Sequence, residues 1–212
     1  MKKKITLVHL KDFYYFCNTM AVLKTRNILV DVARQLFAKK GLESTTMNDI
    51  AIASGKGRRT LYTYFKNKEE IYLAVIIAEL ERLSEKMSEV ADKHLSPEDK
   101  LVEIIYAHLN LIKEAVSRNG NLRAEFFRDI WMVEKVRKNF DQAEIKLFTR
   151  VLEEGIESDE FNIENVSLVA EVMHYCVKGM EVPYIYGRLG DGLNQTNSRP
   201  LVRNLVHRAL KK

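Results

Sequence analysis

The sequence predicts an all-α protein, with a small N-terminal three-helix unit joined by a shared long helix to a larger helical bundle. Three observations carry this. Turn residues are scarce, nine glycines and three prolines in 212 residues. Apolar residues, 46% of the chain, recur at three- and four-residue spacing, and no stretch alternates long enough to build a sheet. A chain of this length buries a core without help from disulfides or structural metals. Its longest apolar run, Ile71 to Ala78, falls well short of the roughly 20 residues of a membrane span.

Residues 1–23 read as an N-terminal extension without a sustained period, and Met20 is an alternative start. Periodicity sets in at Thr25: Leu29, Ala33, Leu36 and Phe37 share one face, with Thr25 as the cap and Gly41 closing the end in a left-handed conformation. A short second helix begins after Thr46, whose hydroxyl can accept from the N–H of Asp49, and it turns Met47, Ile50 and Ala51 inward. Ser54 to Gly57 interrupt it. A third short helix buries Leu61 and Phe65 together. Asn67 caps a long fourth helix with Glu69 and Glu70 in its first turn, where the macrodipole favours acids. Ser96-Pro97-Glu98-Asp99 has the form of a capping box and opens a fifth helix to about Ser117, which Asn119-Gly120 ends. Further helical patterns cover about 121–131, 134–155, 164–182 and 199–210.

The formal net charge of +5 conceals an uneven distribution. Between Lys24 and Lys68 stand ten Lys/Arg and three acids, whereas residues 71–212 hold 20 basic and 23 acidic residues. From Lys56 to Lys68 there are five cations and no acid, interleaved with Tyr62, Tyr64 and Phe65. Two short helices joined by a glycine-containing turn, the second exposing Arg58, Arg59, Thr60, Tyr62 and Thr63, meet the needs of a helix-turn-helix reader of the major groove. Cations neutralise phosphates and release counterions, hydroxyls and amides bond phosphates or base edges, and arginine suits guanine. Cys17 and Cys176, far apart in a chain without a convincing signal peptide, point to a reducing cytoplasm.

From Thr25 to Ile76 the sequence resembles the DNA-binding domain of TetR-type transcriptional regulators. The parts match in order: the TR start at Thr25-Arg26, Ala33, Leu36-Phe37, Gly41, the TT-x-x-DIA run from Thr45 to Ala51, Gly55, and TLY-x-YF-x-NKEE from Thr60 to Glu70. The resemblance implies a DNA-binding domain at 24–76, its helix-turn-helix at about 45–65, and an effector-binding and dimerisation domain at 77–212. It implies that Thr46 holds a phosphate through its hydroxyl and backbone N–H, that Asn48 stands where the family often has arginine, and that Arg58, Arg59, Thr60 and Thr63 form the exposed recognition face. Tyr62 and Tyr64 match phosphate-contacting and packing aromatics, and Lys68 matches a phosphate-gripping base at the start of the fourth helix. Arg26 and Lys66 complete the candidate DNA contacts. GKGRR at 55–59 departs from the family's common GVSKG, so base preference cannot be transferred.

The same resemblance implies a homodimer on a near-palindromic operator and a small-molecule effector. Val202, Leu205, Val206 and Leu210 form an apolar stripe that suits either a dimer interface or the interior of one chain. Tyr106, Phe126, Phe127, Trp131, Met132, Met173, His174, Cys176 and Met180 are the candidate pocket residues, by their aromatic, thioether and polar character. Glu171 and His174 have the spacing of a bundle metal pair, but the second pair is missing, so a satisfied core histidine is expected rather than a metal. No P-loop, G-x-G-x-x-G, G-x-S-x-G or C-x-x-C occurs, and neither catalysis nor a cofactor is expected. The expectation is therefore a cytoplasmic, homodimeric, ligand-responsive repressor. The alternative is a helical small-molecule-binding or adaptor protein that does not read DNA.

Overall fold

The structure is a computed structural model that describes residues 7–118, 130–188 and 195–211, with side chains over 22–118, 136–188 and 196–211. The expected helix at 121–131 and the cysteine at 17 therefore lie outside the described side chains. The described residues form eight helices and no strand, and the chain separates into two compact units, Met1–Val75 and Ile76–Lys212.

In the first unit, α1 (Leu7–Lys40), α2 (Met47–Ala53), α3 (Arg58–Tyr64) and the start of α4 (Lys68–Ala91) surround a core of Leu29, Ala33, Phe37, Ile50, Leu61, Phe65, Ile71 and Tyr72. Phe37 and Tyr72 meet edge to face, with ring centroids 6.4 Å apart. One expectation is corrected here. Thr25 is interior to α1 rather than its cap, because no glycine or proline between Leu7 and Lys24 breaks the helix. The other end is as read: Gly41, at φ +83°, donates its N–H to the Phe37 carbonyl at 2.9 Å.

Each later boundary has a local cause. Thr46 and Asp49 make a reciprocal capping box, the Asp49 N–H on Thr46 Oγ1 at 3.1 Å and the Thr46 N–H on Asp49 Oδ2 at 3.0 Å. After α2, the Gly55 and Lys56 N–H groups donate to the Ile52 and Ala51 carbonyls, each at 3.1 Å. This closure needs a left-handed residue, and Gly55 supplies it at φ +63°. Gly57 caps α3 without a side-chain bond. Asn67 Oδ1 accepts from the Glu70 N–H at 2.9 Å at the start of α4.

The second unit contains the remainder of α4, α5 (Pro97–Arg118), α6 (Ile130–Glu157), α7 (Val166–Ile185) and α8 (Gln195–Leu210). The expected ends shift where sequence signals are soft: α6 begins before 134, α7 continues past Pro183, and α8 begins one turn before 199. Ser96 caps α5 and Asn165 caps α7, accepting from the Asp99 and Leu168 N–H groups at 3.2 and 3.0 Å.

Helix α5 packs against α6, α7 and α8, and its inward face supplies Leu101, Val102, Ile104, Ile105, Tyr106, Leu109 and Ile112 to the core. Between α6 and α7 the chain folds Phe161 onto Gly155. A Cβ at Gly155 would stand 2.0 Å from the Phe161 ring, so only glycine fits there. Helix α8 buries Val206 and Leu210, and is otherwise docked by polar contacts. Arg199, Arg203, His207 and Lys211, at four-residue intervals, face Glu103, Asp99 and, for the last two, Glu98.

Candidate nucleic-acid interface and effector domain

The packing of the first unit determines what its third helix offers to a partner. Leu61 and Phe65 are buried one turn apart, so the opposite side of α3 carries Arg58, Arg59, Tyr62 and Thr63, all exposed, with Thr60 and Tyr64 at the margins. Lys66 and Asn48 are exposed as well, and Lys56 is half-buried in the turn. This side presents cations, a phenol and hydroxyls with no acid among them.

Three of the expected contacts acquire a more specific geometry. The Thr46 N–H is already donated to Asp49, so the expected backbone contact to a phosphate is corrected, and the hydroxyl, which accepts from the Asp49 N–H, keeps its proton for one. The capping bonds from Thr46 hold the half-buried Asp49 carboxyl below its ordinary range. Arg26 stacks on the Phe65 ring at 5.4 Å, which orients its guanidinium from beneath the loop. The Lys68 ammonium donates to the Leu42 carbonyl at 2.8 Å and lies 3.9 Å from the Glu43 carboxylate. It ties the α1–α2 connection to the start of α4, and a phosphate held there would share the three-proton ammonium with that carbonyl.

The second unit holds a buried charged network that no local pattern reveals. His108 on α5 donates from Nδ1 to Glu144 Oε1 on α6 at 2.5 Å and from Nε2 to Glu181 Oε1 on α7 at 2.9 Å. Arg137 on α6 makes a two-pronged pair with Glu181, at 2.9 and 2.6 Å. His174 on α7 bonds the other Glu144 oxygen through Nδ1 at 2.6 Å. Lys178 reaches Asp141 at 2.9 Å. Both ring nitrogens of His108 face carboxylates, so the ring is doubly protonated. Burial works against that charge, but the bonds to Glu144 and Glu181 outweigh it and hold the pKa up at about 9. Burial likewise raises the two glutamates, and the bonds from the histidines and Arg137 overcome it. Glu144 is lowered and Glu181 falls to about 2.

Beside this network, Ser84, Met87 and Ser88 of α4 and Phe140, Ala143, Glu144 and Leu147 of α6 line a cavity of about 140 Å³. The candidate pocket residues are distributed differently. Tyr106 is buried and its hydroxyl bonds Ser198 at 2.7 Å, His174 belongs to the charged network, and Met173 and Met180 are half-buried. Cys176 is exposed on the outer side of α7 and is corrected as a pocket residue: Ala170, His174, Val177 and Glu181 take the inner side. Phe126, Phe127 and the side chains of Trp131 and Met132 lie outside the described residues. Glu171 is exposed while His174 is buried, so that pair does not converge.

The outer side of α7 is apolar too. Leu168, Val172, Tyr175, Val182 and the following Tyr186 stand in one stripe, with Leu168 56% and Tyr175 61% exposed. On α8, Leu201 and Leu205 are exposed, Val202 is half-buried, and Val206 and Leu210 are buried within the unit. The stripe read from the sequence therefore divides. Val206 and Leu210 are corrected to core positions, and Leu205, joined by Leu201, is the outward part.

A three-helix unit with a basic, acid-free recognition side, followed by an all-helical domain, defines a helix-turn-helix transcriptional regulator. Residues 29–75 match the family model for bacterial regulatory proteins of the tetR family, and residues 84–188 match that for the C-terminal region of QacR-like proteins. The chain belongs to the TetR family. It is 24% identical to the HTH-type transcriptional regulator QacR of Staphylococcus aureus over 74% of this chain and 85% of that protein. With the HTH-type transcriptional repressor KstR2 of Mycolicibacterium smegmatis it shares 29% identity over 64% of this chain and 67% of that one. The fold is similar to that of the regulator FadR of Bacillus subtilis, solved with stearoyl-CoA, at TM-score 0.60, 18% identity, 84% of this chain and 96% of that one. Among the described residues no helix is long and apolar enough to cross a membrane.

Proposed function

We propose that the protein is a homodimeric, ligand-responsive repressor that reads a near-palindromic operator through α3, in the cytoplasm. The observation that carries the reading is the two-sidedness of α7. Its inner side is buried against α5 and α6, yet its outer side exposes an apolar stripe from Leu168 to Tyr186. A single chain leaves such a stripe in water, and exposed apolar stripes rimmed by polar residues mark interaction surfaces. A second copy applied through a two-fold axis covers it with itself and presents two copies of α3 to two half-sites. The described residues supporting DNA contact are Arg26, Thr46, Asn48, Arg58, Arg59, Thr60, Tyr62, Thr63, Tyr64 and Lys66, with Lys68 as a brace beneath them.

The effector enters this reading through the second unit. The cavity beside Glu144 offers two serine hydroxyls, a carboxylate edge and apolar walls, and at about 140 Å³ it holds only one end of a compound that fills an ordinary ligand pocket. An effector releases DNA only to the extent that it prefers the dimer geometry that does not fit the operator.

The test has two arms. Binding to the protein's own promoter region, titrated with salt against random duplex, should show steep salt dependence and sequence preference, and equal affinity for every duplex would overturn the reading. Tyr175→Glu should convert a dimer into monomers in sedimentation and weaken operator binding; an unchanged sedimentation coefficient would remove α7 from the interface.

A further inference from the structure

On α3, the hydroxyl of Thr63 is engaged by its own helix. It donates to the Arg59 carbonyl one helical turn back, at 3.0 Å, although Thr63 itself is exposed on the side that carries Arg58, Arg59 and Tyr62. A threonine hydroxyl has one proton. While it bonds Arg59, Thr63 cannot donate to a phosphate, to N7 or O6 of guanine, or to O4 of thymine. With the hydroxyl proton held on the helix, the methyl branch is the part of this exposed side chain left for an apolar contact.

We propose that Thr63 is a specificity-determining residue that reads a thymine through methyl–methyl contact in the major groove. The proposal rests on α3 being the DNA-reading helix and goes beyond it, because it assigns a base and a chemical group to one side chain. Its neighbours cannot do the same. Arg58, Arg59 and Tyr62 are hydrogen-bond donors suited to phosphates or guanine, whereas the 5-methyl of thymine is the one apolar feature of the major-groove edge. A helix that adds an exposed threonine methyl to strong donors can distinguish a thymine from a cytosine, which has no methyl at that ring position and carries an amine donor in place of the O4 acceptor.

The test begins with selection of the preferred operator from a random duplex pool by the wild-type protein. Each thymine of that operator is then replaced in turn by 2′-deoxyuridine, which differs only in lacking the methyl. Affinities are measured for the wild type, Thr63→Val and Thr63→Ser, with thermal melting confirming that both variants fold. At one thymine per half-site the wild type and Thr63→Val should each lose about fourfold on removal of the methyl, the worth of one buried methyl-sized group, while Thr63→Ser should be indifferent to it. If Thr63→Ser keeps the discrimination and Thr63→Val loses it, the hydroxyl is the reading group and the proposal fails, with DNA reading by α3 left standing. If no thymine is coupled to position 63, the proposal fails in the same way. If the wild type enriches no sequence at all, the DNA-reading assignment fails and takes the proposal with it.

Discussion

Alkaline pH should weaken the second unit through His108. The ring is doubly protonated in the fold and held at about 9 against an ordinary 6.5, so the folded protein binds more protons than the unfolded chain between these values. Stability is then fully present below pH 6.5 and falls as the pH rises through 9. The difference, at about 1.4 kcal/mol for each pH unit, amounts to roughly 3 kcal/mol. Glu181, lowered from 4.5 to about 2, works in the opposite direction: its contribution is present above pH 4.5 and is lost as the pH falls through 2. Both shifts draw on the same 2.9 Å bond, so they do not add. Urea unfolding followed by circular dichroism at fixed protein concentration, from pH 6 to pH 10, reads the effect as the difference between wild type and His108→Gln. The variant should be about 3–5 kcal/mol less stable near pH 6, because it leaves Glu144 and Glu181 without their shared cation. It should also show a much shallower decline, so that the two proteins approach one another near pH 10. Parallel pH profiles would refute the reasoning and place the proton elsewhere than on His108.

Gly155→Ala would gain about 1 kcal/mol of helix propensity at a solvent-facing site. Here the added carbon would stand 2.0 Å from the ring of the buried Phe161, so a net loss of about 1–3 kcal/mol is expected in thermal melting, and the second substitution Phe161→Leu should restore part of it. At the start of α3, a Cβ on Gly57 meets nothing closer than Thr60 Oγ1 at 3.9 Å, so Gly57→Ser should fit and raise stability by about 0.5–1 kcal/mol through a side-chain cap and a stiffer unfolded chain. Thr46→Ala removes the capping acceptor of α2 and should cost about 1 kcal/mol, with operator affinity reduced to a similar factor for strong and weak sites, as a phosphate-level contact requires.

The parts of this fold that were legible in the sequence are those governed by bonds between near neighbours. Thr46 to Asp49, Asn67 to Glu70 and Ser96 to Asp99 each span three positions, and the helix ends at Gly41 and Gly55 follow from the one residue type that adopts positive φ freely. The run of α1 ahead of Thr25 was not legible, because a weakly periodic segment gives little sign of a helix. Nor was the charged network, since His108 meets partners 36 and 73 positions away, and nothing local marks a histidine as the bridge between two glutamates. The division of the α8 stripe failed for a geometric reason. Adjacent residues on a helix differ by about 100° in direction, enough to put Leu205 in solvent and Val206 in the core while both count toward one apolar pattern.

The same ambiguity is what α7 has to overcome physically. A helix apolar on two sides gains nearly the same burial whichever side it turns inward, so hydrophobicity alone leaves its rotation about its own axis poorly specified. His174 and Glu181, on the inner side, remove the degeneracy. Turned outward, they would take the two-pronged carboxylate from the buried Arg137 and one of its two histidine partners from the buried Glu144, at a cost of several kcal/mol. Buried ion pairs add little stability compared with apolar packing of the same volume, but they are directional, and a single wrong rotation of α7 loses every bond that His174, Lys178 and Glu181 make at once. On this argument the network fixes which stripe of α7 is presented outward. An apolar replacement of the whole set, His108, Arg137, Glu144, His174 and Glu181 together, would keep the bundle folded while releasing that constraint, whereas replacing any one of them leaves its partners charged and buried.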